Sequence, residues 1–297
     1  MDIESNLNTH IIGFPFYANS KNDNRKNSEE DMEKGSDTHL ASIYQPLYEI
    51  SSRYLEDGYS VLYVVESVPD QTAKEKVIEN IQNVNNKKEV QNNISKGLLN
   101  VIDPDAIYHK NASSRDILDS LYSSILKMQG KLQHKTKGAM IFNSPDPFFS
   151  RNKYDVFMMF EEEVGKTLPK NVGLVCWYKK KWLNDLSLAH AIHLLADHKY
   201  TVHSEWKYKE WDSNKIIGII SKGIDKNLGE GSAILLFQTM KSAYKLNQDA
   251  IVYRPSIFEN TLRRILGKHD ANSVIDSIFG EIMKEVAFSL TGSLNNR

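Results

Sequence analysis

The chain has 297 residues, enough for one large domain or for a medium domain with a small companion. Lys and Arg (37) almost cancel Asp and Glu (38), which removes any global pull toward nucleic acid or anionic lipid. A single cysteine, Cys176, excludes an internal disulfide and any multi-thiolate metal site, and 40% apolar residues suffice for a real core.

The opening "MDIESNLNTH" lacks the basic start and apolar run of a signal peptide, and the longest apolar stretches are too short to span a bilayer. A cytoplasmic protein without a membrane partner is therefore expected. "HIIGFPFY" reads as a first strand, apolar and rich in β-branched and aromatic residues. The polar stretch after it has almost nothing to bury, so residues 19–38 are expected to be a flexible insertion. Ile43, Leu47, Ile50, Tyr54 and Leu55 recur at helical spacing, and Gly58 is placed to end that helix. "YSVLYVVES" is a continuous apolar run of the kind buried on both faces of a parallel sheet.

The alternation then continues. A helix is expected around "QTAKEKVIENIQNV", a strand at "GLLNVIDP", and a helix from Ser113 or Ser114, as N-cap, to Gly130. "GAMIFNSPDPFF" is a strand entering a Pro-rich loop, "KYDVFMMFEEEVGK" a helix, "VGLVCWYKKKW" a strand and "LSLAHAIHLLADH" a helix. "YTVHSEWKYKEW" closes the series as an edge strand, alternating Val202, Ser204, Trp206 and Tyr208. Such regular alternation predicts an α/β fold over residues 1–211: a three-layer, mainly parallel sheet with right-handed crossovers. After it, residues 212–230 read as a linker and 231–297 as a small all-α module, with Pro255 opening one helix and Asp270 capping another.

Gly165-Lys166-Thr167 resembles the end of a phosphate-binding loop. Such a loop needs its glycines directly after a strand and at the start of a helix, so that backbone N–H groups point at the phosphates. Here Gly165 follows a helix and precedes a strand, and Phe160 stands where the first glycine belongs. Gly165 is expected to be a helix C-cap instead.

Other residues carry weaker signals. His190 and His193 are one turn apart without the i, i+4 spacing of a helical zinc pair. They and His198 are expected at the surface or at helix caps. Cys176 lies inside an apolar strand and is expected to be a small core residue. Asp103 follows a strand's carboxyl end, the edge where doubly wound sheets place ligands, though it also suits a turn. Tyr108, Phe148, Phe149, Trp177, Tyr178 and Trp182 cluster in the same segments, which suits an aromatic pocket or an aromatic core. The basic clusters "YKKKW" and "NTLRRILGKH" lack the spacing of nucleic-acid-binding motifs.

The collinear segments "HIIGFPFY", "GYSVLYVVES", "GLLNVIDPDAIY", "GAMIFNSPDPFF", "FMMFEEEV", "LVCWYKKKW" and "DHKYTVHSEWKY" together resemble the MEDS domain family, from His10 to Trp211. That is the sensory domain first described in a dichloromethane-responsive regulator of methylotrophs and methanogens. The resemblance implies a fold similar to RecA- and KaiC-type ATPases without their phosphate-binding loop, and a role in sensing small molecules such as hydrocarbon derivatives. Residues in the matching motifs are His10, Tyr17, Glu66, Asp103, Tyr108, Glu162, Cys176, Tyr178 and His198. Two features depart from the family: the long charged insertion after Tyr17, and Lys199 where proline commonly follows the histidine. The C-terminal helices resemble a small output domain found beside sensory modules in ammonia-oxidising archaea, on "RPSIFENTLRRILGKHDANSVIDSIFGEIMKEV".

The expectation is thus a cytoplasmic, non-enzymatic signalling protein that needs no cofactor or metal. An apolar small molecule would bind near Asp103, Tyr108, Phe148 and Trp177, and the helical module would dimerise or engage a downstream regulatory protein. The alternative is a divergent ATPase or phosphotransferase using Lys166 or residues 179–181 with Asp103 or Asp146.

Overall fold

A computed structural model describes residues 10–13, 49–64, 73–84, 86–109, 111–130, 136–150, 153–178, 185–198, 200–202 and 208–288. Tyr17, Glu66, the 19–38 insertion, residues 179–182, Lys199 and His203 lie outside them. In chain order the elements are β1 (His10–Gly13), α1 (49–56), β2 (Ser60–Val64), α2 (Ala73–Val84), α3 (Lys87–Ser95) and β3 (Leu99–Ile102). There follow α4 (Ser114–Gly130), β4 (Ala139–Asn143), α5 (Asp146–Ser150), α6 (Tyr154–Thr167) and β5 (Val172–Trp177). The rest are α7 (Leu188–Asp197), β6 (Tyr200–Val202), β7 (Tyr208–Glu210), α8 (Ser213–Leu228), α9 (Ser232–Tyr244), α10 (Gln248–Tyr253) and α11 (Pro255–Phe288).

The chain forms two compact units, one of residues 1–180 with 202–207, the other of 181–201 with 208–297. In the first, β1 to β5 make a parallel sheet in the order β3-β2-β4-β5-β1. β2, β4 and β5 are buried at every residue, as continuous apolar runs must be when helices cover both faces. The expected α/β class is what forms. Gly58 ends α1 with positive φ, and Tyr59 N–H reaches back to the Tyr54 carbonyl at 2.9 Å. At the start of α4, Ser113 Oγ accepts from Asp116 N–H at 3.2 Å while Asp116 Oδ2 accepts from Ser113 N–H at 2.9 Å, a reciprocal cap.

The second unit is helical, and its limits differ from the expected module. Residues expected as a linker form α8, whose Ile216, Ile219, Ile220 and Ile224 make a buried stripe and whose Asp212 caps Lys215 N–H at 2.8 Å. α7, expected to cover the sheet of the first domain, groups with these helices, and Ala189 N–H donates to Glu259 at 3.4 Å. α11 is broken at Gly267, as the sequence indicated, but Asp270 sits inside the second segment's first turn rather than capping it. A carboxylate there still faces the positive end of the helix dipole.

Candidate functional site

β3, β2, β4, β5 and β1 are in register at their carboxyl ends, where Ile102, Val64, Asn143, Cys176 and Ile12 pair in one row. Two of the five are not hydrocarbon. Asn143 is fully buried, the last residue of an otherwise apolar strand, and Cys176 is its direct cross-strand partner. Burying an amide costs several kcal/mol unless it is hydrogen-bonded, on the order of 2–7 by reference state, so its partners have to be found nearby.

They are supplied by the loops at the same edge. After β3 the chain turns through a short 3₁₀ segment, Pro104–Ala106, and delivers Tyr108 inward, where its hydroxyl donates to Asn143 Oδ1 at 2.5 Å. The Asn143 amide donates in turn toward Cys176 Sγ at 3.8 Å. From the residue just past β5, Tyr178 donates its phenolic hydrogen to Glu161 Oε1 at 2.6 Å. Glu161 comes from α6 and is 0% exposed. Cys176 also interacts with both Glu161 and Tyr178, so the five side chains form one connected polar chain.

Its direction is uniform. Burial raises the Cys176 thiol well above its ordinary range, and the neighbouring Glu161 charge raises it further, so Cys176 is a neutral S–H donor. Burial and the Glu161 charge act in the same sense on the Tyr178 phenol, which stays protonated. Each donor therefore passes its hydrogen along the row or directly toward the Glu161 carboxylate.

Aromatic rings enclose this chain. Phe148 meets Tyr108 edge-on at 5.0 Å and lies 5.5 Å from Phe160; Phe149 packs on Phe157 at 4.8 Å and edge-on to Tyr178 at 6.4 Å. The surroundings are thus of low polarity, which strengthens every hydrogen bond within them.

The structure brings together Tyr108, Phe148, Cys176 and Tyr178 among the residues singled out in the sequence, and Trp177, also buried, adjoins them on β5. Asp103 is exposed, and its carbonyl begins the 3₁₀ turn by accepting from Ala106 N–H at 3.0 Å. Glu162 is part of the helix surface, paired with Lys166 one turn on. His10 is placed by its backbone at the start of β1. His198, in the second unit, ends α7 as a cap but is buried, not at the surface, with Nδ1 2.7 Å from the Leu194 carbonyl oxygen.

Two functional candidates were missed. Glu161 falls on the buried stripe Phe157, Phe160, Glu161, Val164, an i, i+3, i+4, i+7 pattern that marks it as the inward carboxylate where Glu162 is not. Asn143 was signalled only by being the one polar residue of "AMIFN".

Gly165, Lys166 and Thr167 form the last turn of α6. Phosphates bind at helix N-termini, where free N–H groups point outward, and a last turn offers carbonyl oxygens instead. Gly165 is not the C-cap either: the helix runs to Thr167 and ends at Leu168, because Pro169 excludes the helical conformation for the residue before it. No protein-family model, curated protein or solved structure matches this chain at the significance required.

Proposed function

We propose that the protein is a signalling protein whose α/β unit senses a small molecule at the carboxyl edge of its sheet and whose helical unit relays the result. The observation that carries this reading is the convergent polar chain from Tyr108 through Asn143 and Cys176 to Glu161 and Tyr178, set among aromatic rings. Open parallel sheets hold ligands outside these strand ends, and a few fixed polar groups within an aromatic lining give such sites their selectivity.

The resemblance to the MEDS family supports the same reading, with Tyr108, Cys176 and Tyr178 in the matching motifs. A ligand acts by preferring one of two arrangements, and the chain's bonded order supplies the difference it can read. An apolar or weakly polar molecule able to accept or donate one hydrogen bond at Asn143 or Glu161 suits that lining.

Mass spectrometry of the purified protein under native and then denaturing conditions tests this, with and without Mg-ATP. A small co-purified mass, released on denaturation and lost in Asn143→Leu, supports a sensor. A stoichiometric ATP or ADP adduct supports the nucleotide-dependent alternative and overturns this one.

A further inference from the structure

Tyr108, Asn143, Glu161, Cys176 and Tyr178 are each at most 2% exposed, so no ligand reaches them until an element around them moves. The strands are poor candidates, since β2, β4 and β5 are each paired on both sides. Tyr108 and Glu161 belong to the polar chain itself, so a shift of the loop after β3 or of α6 would break its hydrogen bonds.

"SPDPFFS", between β4 and α6, is held differently. Ser144 N–H still extends the sheet, donating to the Val64 carbonyl at 3.1 Å. Beyond it Pro145 and Pro147 have no N–H to give, and α5 has five residues, too few for its own hydrogen bonds to hold it as a helix. Its fastening is a pair of adjacent rings. Phe148 meets Tyr108 edge-on at 5.0 Å, Phe149 meets Tyr178 edge-on at 6.4 Å, and both pack on Phe157 of α6, at 5.6 and 4.8 Å. One dipeptide therefore covers the polar chain from its first phenol to its last. Both rings are hydrocarbon, so they can leave without breaking a hydrogen bond of that chain.

We propose that residues 145–150 are the lid of this site, with Phe148 and Phe149 as its two latches. This rests on the reading of the sheet edge as a ligand site. The segment lifts by withdrawing both rings, admits the ligand to the polar chain, and closes over it. A ligand that is enclosed beneath the rings then favours the shut arrangement, which is how binding biases one state over another.

Alkylation of Cys176 by iodoacetamide tests the proposal on the full chain, because this single cysteine lies within the polar chain and the reagent is small. At mildly alkaline pH the wild type should be alkylated slowly, over hours. The rate should stay flat as urea is added below the unfolding transition, since lifting so short a segment exposes little surface. Phe149→Ala should raise that flat rate about tenfold or more, because truncating a buried ring favours the open form. Phe148→Ala should do the same, and Phe149→Leu stands in if either fails to fold by circular dichroism. Ile81→Ala, buried on α2 where that helix packs on β3, should speed only the steeply urea-dependent labelling that passes through global unfolding. Wild-type labelling that occurs only by the steep route overturns the proposal, as does an acceleration by the phenylalanine substitutions no larger than that of Ile81→Ala. Mass spectrometry of the co-purified ligand reads separately. A flat route without any such mass removes the sensor although the segment opens, and a bound mass without a flat route removes the lid alone.

Discussion

Tyr178 and Glu161 are joined by a 2.6 Å hydrogen bond between side chains that are both 0% exposed, one just beyond a strand and the other on a helix. A buried carboxylate is tolerated only when donors converge on it. Tyr178→Phe removes one donor and leaves the ring in place among Phe149 and Phe157. The expected loss is about 1–3 kcal/mol, read as a lower urea midpoint with unchanged slope. Glu161→Leu with Tyr178→Phe should cost less than the sum of the two single changes, because either alone already removes the shared bond. Strict additivity would mean that the bond contributes nothing.

Cys176 yields a chemical test. Only thiolates react readily with disulfide reagents, and burial beside Glu161 keeps this group a thiol. The native protein should therefore be inert to an aromatic disulfide reagent at mildly alkaline pH. It should release one equivalent once unfolded in guanidinium chloride, since the chain has a single cysteine. Fast labelling of the native state would show that the β5 end opens to solvent, and would remove the closed polar chain as the resting state.

How far the sequence reaches depends on which physical signal a residue carries. β2, β4 and β5 were legible because strands buried on both faces must be apolar throughout, and the cap at Ser113 because its geometry is local. α8 reads as a linker in sequence because its isoleucines and two glycines lower helix propensity, although Ile216, Ile219, Ile220 and Ile224 already spell the stripe that packing rewards. The site was half legible. Tyr108 and Tyr178 announce themselves as aromatics at strand ends, but choosing Glu161 over Glu162 requires following helix phase through α6, and Asn143 gains meaning only from register with Cys176. Register is a long-range property that local pattern does not encode.

Two glycines on α8 should respond oppositely to the same change. At Gly223 an added Cβ would lie 2.5 Å from Ile278 Cα and 2.8 Å from its amide nitrogen, so α8 and α11 touch backbone to backbone there. Gly223→Ala must push the helices apart and should cost roughly 1–3 kcal/mol or more. Gly218, on the exposed side of the same helix, has nothing within 4 Å of the added atom. Gly218→Ala should stabilise by about 0.5–1 kcal/mol through helix propensity. Denaturant unfolding of the two variants settles the sign of each, and a stabilising Gly223→Ala would refute the close helix crossing.

Glu281 clamps the same two helices by charge. Its carboxylate is buried and receives Lys284 at 2.7 Å from its own helix, with Lys226 and Lys222, both at 3.0 Å, from α8. These donors, Lys284 first, hold its pKa at about 2 against an ordinary 4.5. The folded state therefore prefers the ionised form. The stabilisation is fully present above pH 4.5 and is lost as pH falls through that value toward 2, where the folded carboxylate also takes up its proton. Glu281→Gln should lower the melting temperature near neutrality by about 5 °C, for a loss on the order of 2 kcal/mol. The gap between wild type and variant should close as the pH is brought down to 2. A gap that persists unchanged at acid pH would show that Glu281 contributes by packing alone, and that Lys222 and Lys226 are not what fastens α8 to α11.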